Sequence, residues 1–83
     1  MENLIEQEGW TVLGRPGCVW CDRVKELLTD REKKFTYVDI SQVEGAVEHL
    51  VANGIKTVPQ VYHYGVRIGG YEQTKIYLRE DQP

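Results

Sequence analysis

The sequence predicts one α/β domain with the element order βαβαββα, and three observations carry that reading. A β-favouring run, an amphipathic stretch and a second β-favouring run fill residues 10 to 40, the spacing of a βαβ unit. Two more short β-favouring runs flank Gly65, too close together for anything but an antiparallel hairpin. Length and composition agree. At 83 residues, 41% apolar and 28% charged, with Gly 8 and Pro 3, the chain suits one small core and disfavours disorder, collagen or coiled coil.

Taken in order, Trp10-Thr11-Val12-Leu13 reads as a buried strand, stopped by Gly14 and Pro16-Gly17. From Cys18 to about Glu32 the pattern is helical. Cys21, Val24 and Leu28 lie on one side with Leu27 beside them, and Asp22, Arg23, Glu26 and Thr29 on the other. Phe35 to Ile40 is aromatic and β-branched, a second strand, parallel to the first through a right-handed crossover. Ser41-Gln42-Val43-Glu44 fits a capping box that opens a second helix. Val43, Val47, Leu50 and Val51 form its expected buried stripe, Gly45 weakens it by about 1 kcal/mol, and Asn53-Gly54 caps it. Gln60–Tyr64 and Val66–Ile68 make the hairpin. After the break at Gly69-Gly70, Tyr71 to about Arg79 forms a last short helix. No linker, repeat or low-complexity segment interrupts the chain, so residues 1–83 are expected to be a single domain.

Charge and targeting signals narrow the function classes. A net charge of −3 argues against nucleic acid as the main partner. The longest uncharged stretches are far below the ~18 apolar residues of a membrane span. Met1 to Glu6 lacks a basic n-region and an apolar h-region, so no secretory leader is expected and the expected location is cytoplasmic. The acidic chain ends read as solvated surface.

Cys18 and Cys21 are the two cysteines, and a disulfide spanning two intervening residues cannot staple a small fold together. Their placement points to chemistry. Cys18 opens a helix, where free amides and the positive end of the helix dipole favour a thiolate, the attacking species in disulfide exchange. Cys21 lies one turn later on the apolar stripe, which predicts a buried, protected thiol. The expected division is Cys18 as exposed nucleophile and Cys21 as resolving thiol, with Arg15 and Arg23 adding positive potential. Half a zinc site and plain core filling are the alternatives. His49 and His63 are spaced too widely for the usual histidine pair, and no second cysteine pair exists.

Three motifs in order resemble the glutaredoxins, glutathione-dependent members of the thioredoxin fold. Arg15-Pro16-Gly17-Cys18-Val19-Trp20-Cys21 is similar to the family's basic-Pro-x-Cys-Pro-Tyr-Cys site, Thr57-Val58-Pro59 to its Thr-Val-Pro segment, and Gly69-Gly70-Tyr71-Glu72 to its Gly-Gly-x-Asp segment. The resemblance runs from about Trp10 to Leu78 and implies a four-stranded mixed sheet flanked by helices. It implies that Cys18 forms the mixed disulfide with glutathione and Cys21 closes the intramolecular disulfide. Pro59 is then cis and faces the cysteine pair, with the Val58 backbone pairing to the cysteinyl part of glutathione and Thr57 in the same glutathione site. Gly70, Tyr71 and Glu72 hold its γ-glutamyl end, Arg15 attracts its glycine carboxylate, and Trp20 walls the site.

The implied activity is glutathione-dependent reduction of protein disulfides or protein–glutathione mixed disulfides. Glutathione is then the reducing co-substrate, and no tightly bound cofactor, metal, nucleic acid or membrane is expected. Partners are disulfide-containing proteins, with ribonucleotide reductase a common family client, and a monomer is expected. Departures from the pattern are Val19-Trp20 in place of Pro-Tyr, Glu72-Gln73 in place of Asp-Asp, and Ala46 where many members carry Arg or Gln. Two alternatives stand beside this reading: a redoxin recharged by thioredoxin reductase, and a glutathione-ligated [2Fe–2S] module. Trp10 reads as a strand residue at the edge of the core, His49 as solvated, and His63 as packing or surface.

Overall fold

Strand β1 (Trp10–Gly14) is buried along its whole length because it is an inner strand. It pairs in parallel with β2 (Phe35–Asp39) on one side and antiparallel with β3 (Gln60–His63) on the other. β3 in turn pairs antiparallel with β4 (Val66–Gly69), giving a four-stranded mixed sheet of order β2-β1-β3-β4. These relationships come from a computed structural model that describes residues 4–81, so the expectation of solvated acidic ends at residues 1–3 and 82–83 lies outside the described residues. Helix α1 (Val19–Asp30) connects β1 to β2, α2 (Ala46–Ala52) connects β2 to β3, and α3 (Tyr71–Asp81) ends the described fold. The order is βαβαββα, as the sequence predicts.

The period-two alternation of β1 divides the core between the faces of the sheet. Trp10 and Val12 point to the side covered by α1 and α3, where they pack with Val24, Leu28, Val61 and Leu78. Leu13 points to the other side and packs with Val38, Leu50 and Tyr62, with Leu4 and Ile5 against that cluster. Trp10 is thus a core residue rather than an edge one. His63 stands opposite it in the β1–β3 register and stacks on its ring at 4.1 Å, with Nδ1 2.8 Å from the Tyr77 hydroxyl. The β3–β4 turn uses Tyr64 (φ 53°) and Gly65 (φ 81°), the paired left-handed conformations of a two-residue hairpin.

The second helix departs from expectation at its start. Ser41 does not cap it. The Asp39 carboxylate accepts hydrogen bonds from the Ser41 amide at 2.9 Å and hydroxyl at 2.6 Å, holding residues 40–45 in turns. The helix begins at Ala46, with Gly45 at φ 90° as an N-cap that has no side-chain bond. Its buried face is also rotated from the expected one. Ala46 and Leu50 are buried, while Val43, Val47 and Val51 are exposed instead of forming a buried stripe. Its end matches the expectation. The Gly54 amide donates to Val51 and the Ile55 amide to Leu50, the paired bonds of a Schellman cap.

Candidate active site

Leaving the sheet at Gly14, the chain turns through Pro16-Gly17 and delivers Cys18 to the N-cap of α1. Cys18 has extended backbone (φ −100°, ψ 109°), and its Sγ accepts a hydrogen bond from the Cys21 amide at 3.1 Å. Sulfur here takes the place of the oxygen that usually satisfies the third amide of a helix. The same bond stabilises negative charge on Cys18 when the thiol is reduced. Cys18 and Cys21 are joined by a disulfide with their Cα atoms 5.2 Å apart. Cys21 is fully buried, as its stripe position predicts. Cys18 is less open than expected, at 9% exposure.

The loop carrying Pro59 supplies the opposite wall. The Val58–Pro59 peptide is cis, and the Val58 carbonyl oxygen lies 3.9 Å from Cys18 Sγ. The loop is braced from β3 and β4. Gln60, buried immediately after Pro59, donates through Nε2 to the Thr57 carbonyl at 3.0 Å and accepts from Arg67 at 3.1 Å. Sequence reasoning passed over Gln60. Its burial and its two partners come from the folded sheet, and nothing local in the sequence marks them.

Trp20 and the Gly69-Gly70 segment form the remaining edges. Trp20 is half exposed rather than packed in the core. Its ring lies 5.3 Å from that of Tyr71, and the Arg23 guanidinium sits 5.0 Å over it. Gly70 comes close to the proline loop, for a Cβ there would stand 3.6 Å from the Pro59 carbonyl oxygen. Its amide donates to Gln73 Oε1 at 3.0 Å, half of a capping box at the start of α3. The Gly70 amide, next to the Tyr71 amide expected to meet a γ-glutamyl group, is thus taken by a side chain of the same helix. Glu72, two residues after Gly70, is exposed.

Arg15, Lys56, Thr57 and Val58 line one open groove beside the cysteines, and Thr57 also borders a second one floored by Gly69 and Gly70. The structure therefore gathers Cys18, Cys21, Val58 and Pro59 tightly, and sets Arg15, Thr57, Trp20, Gly70 and Tyr71 around them. Among the described residues no group of three or more His, Cys, Asp or Glu is placed to hold a metal ion.

Comparison with known proteins agrees with this geometry. A family model described as Glutaredoxin matches residues 10–68. Glutaredoxin 1 of Salmonella typhimurium is 33% identical over 79 residues, covering 84% of this chain and 90% of that protein. Hybrid peroxiredoxin hyPrx5 of Haemophilus influenzae is 32% identical over 72 residues, and there the match spans only 30% of the relative's length. Among solved structures, a buckwheat glutaredoxin–glutathione complex has the same fold, with a TM-score of 0.79 at 24% identity over 95% of this chain and 76% of that one. The glutaredoxin-like NrdH-redoxin from Escherichia coli, described as having a thioredoxin-like activity profile, superposes with a TM-score of 0.73 at 26% identity, covering 83% of this chain and 91% of its own.

Proposed function

The chain belongs to the glutaredoxin family of thiol–disulfide oxidoreductases, and from that premise we propose that glutathione is its reducing co-substrate. The observation that carries the proposal is the Cys18–Cys21 pair at the head of α1, set against the cis Val58–Pro59 peptide. In the forward reaction the Cys18 thiolate, held by the Cys21 amide, attacks one sulfur of a protein disulfide. A mixed disulfide forms and the substrate's other sulfur leaves as a thiolate. The Cys21 thiolate then attacks Cys18 Sγ, expelling the second substrate thiolate and closing the disulfide. Two glutathione molecules restore both thiols and leave as glutathione disulfide.

In this reading Val58 and Thr57 present backbone to the cysteinyl part of glutathione, beside Pro59. Arg15 attracts the glycine carboxylate and Trp20 walls the site. The γ-glutamyl end meets Tyr71 and Glu72 at the head of α3, since Gln73 already takes the Gly70 amide. The clients are disulfide or glutathionylated proteins, with ribonucleotide reductase among them. Residues 1–83 act as one domain, as a monomer, in the cytoplasm.

A second reading, recharging by thioredoxin reductase, is favoured by two features. Gln73 takes the Gly70 amide beside the expected γ-glutamyl position, and Ala46, at the helical position where a glycine-carboxylate ligand would stand, is fully buried. The likeness to NrdH-redoxin points the same way. The test is to oxidise the protein and offer it either glutathione or thioredoxin reductase with NADPH. Fast recovery of both thiols with glutathione alone supports the first reading, and recovery only with the reductase supports the second. Under either, Cys18→Ser abolishes turnover. Cys21→Ser spares removal of glutathione from mixed disulfides and stops two-thiol reduction.

A further inference from the structure

The groove lined by Thr57 and Val58, whose carbonyl oxygen lies 3.9 Å from Cys18 Sγ, runs on to α2. It encloses ≈ 410 Å³ between the 55–58 segment and α2, and Val47, Val51 and Ile55 give it an apolar wall. Val47 and Val51 are 47% and 71% exposed and stand one helical turn apart, on the outward face of α2. Scattered apolar side chains on a surface are ordinary, but an apolar wall continuous with a reactive site marks a place where a partner is covered. No carboxylate lines this groove. Its charged residues are Arg15 and Lys56, and neither forms an ion pair with any described residue, in a chain of net charge −3.

Glutathione cannot use this wall, because it carries no aliphatic side chain beyond its cysteinyl group. A polypeptide can. We propose that the groove between α2 and residues 55–58 is a docking track for protein disulfides, selecting an extended segment with an aliphatic residue and a carboxylate beside the attacked cysteine. The aliphatic side chain covers Val47 and Val51, and the carboxylate meets Arg15 and Lys56. Main-chain pairing with Val58 aligns the segment with Cys18, as in strand-addition recognition. The proposal rests on thiol–disulfide exchange at Cys18 and is independent of which reductant restores the enzyme. The chemical step balances within the two partners. The peptide disulfide is reduced to two thiols as Cys18 and Cys21 are oxidised to one disulfide, with the two thiol protons passing to the departing peptide sulfurs.

The test is single turnover of pre-reduced protein against two cyclic disulfide peptides, one with Leu and Glu beside each cysteine and one with Ser and Gln there. Bis(2-hydroxyethyl) disulfide serves as the small control. Wild-type protein should consume the Leu/Glu peptide about tenfold faster than the Ser/Gln peptide, the discrimination expected of one well-filled apolar contact. Val47→Ser/Val51→Ser, two exposed positions, should shrink that preference to the part carried by the carboxylate on Arg15 and Lys56, and leave the rate with bis(2-hydroxyethyl) disulfide unchanged. Raising ionic strength should narrow the wild-type preference, since the Arg15 and Lys56 attraction is screened. Equal use of the two peptides by wild-type protein overturns the proposal. So does a preference undiminished by the double substitution, or an equal loss on the peptide and the small disulfide. No glutathione is present, so failure here is distinct from failure of glutathione recharging.

Discussion

Gly14 closes β1 without a left-handed backbone, so its requirement is for space and not for a special dihedral. A Cβ at that position would stand 2.5 Å from the Tyr37 hydroxyl oxygen and 3.0 Å from both Tyr37 Cε1 and Cys21 Sγ. Gly14→Ala must therefore push the Tyr37 ring or the resolving sulfur. The expected cost is about 1–3 kcal/mol, the usual range for overpacking a filled site. It would be read as a lower denaturant midpoint, together with slower closure of the Cys18–Cys21 disulfide after Cys18 is loaded. Unchanged stability and closure would show that the ring moves freely.

A second residue argues in the opposite direction. The Tyr62 hydroxyl is buried with no hydrogen-bond partner among the described residues, and burial pushes its pKa up, with Arg67 opposing weakly. Tyr62→Phe removes an uncompensated polar group, so neutral-pH stability should rise by about 1 kcal/mol. The pH dependence follows from the same shift. A tyrosine whose folded pKa exceeds its unfolded value of about 10 contributes stability that is intact below pH 10 and lost as pH rises through the folded value. Tyr37, raised by burial and by Asp39 and Asp22, adds to that loss. Tyr62→Phe should flatten the alkaline fall in chemical-denaturation stability without abolishing it. A destabilised variant with an unchanged slope would contradict the assignment.

At the scale of elements, both α1 and α2 close with a Schellman cap, but they fill its left-handed position differently. After α2 it is Gly54 at φ 69°, and after α1 it is Glu32 at φ 60°. The Lys33 amide still donates to Leu28, and the Glu32 amide to Thr29. A non-glycine residue there costs about 1–2 kcal/mol, and glycine returns about 0.5–1 kcal/mol of that through the freer unfolded chain. Glu32→Gly should raise stability by about 0.5 kcal/mol, measurable as a shift in thermal midpoint with activity unchanged. The contrast also explains which boundaries were legible. Asn53-Gly54, Tyr64-Gly65 and Pro16-Gly17 announce their breaks because local chemistry decides them. The start of α2 did not, because the Asp39 carboxylate takes the Ser41 amide and hydroxyl before they can cap a helix. The buried face of α2 centres on Ala46 and Leu50, which leaves Val47 and Val51 outside. At the site, Cys18, Cys21 and Pro59 were readable from position and motif. The brace from Arg67 through Gln60 to Thr57, and the tight fit at Gly14, depend on residues far apart in sequence that only the folded sheet brings together.

Across the whole molecule, the sheet separates two cores of unequal strength. Helix α1 buries Cys21, Val24 and Leu28, and α3 buries Thr74 and Leu78, all on the face that also holds Trp10, Val12 and Val61. The other face is covered by α2 and the segment around Leu4 and Ile5. α2 has 7 residues and buries only Ala46 and Leu50. A helix that short is marginal by itself, so its persistence depends on Leu50 against Leu13, Val38 and Tyr62. Two hydrogen-exchange outcomes follow. The Asn53 and Ile55 amides, bonded back to α2 carbonyls, should exchange through local opening well below the free energy that protects the Val12 and Leu13 amides. Leu50→Ala should speed α2 exchange with little effect on β1, whereas Leu28→Ala should lower protection everywhere by about 2–5 kcal/mol. Uniform protection across both faces would refute the division. The weaker face is also the one carrying Val47 and Val51, so a segment docked there stabilises α2 by mass action. An acidic, aliphatic peptide trapped on Cys18 should therefore slow exchange at Asn53 and Ile55 while the Val12 amide is unaffected, because the bound chain seals the local opening without adding contacts to the inner strand.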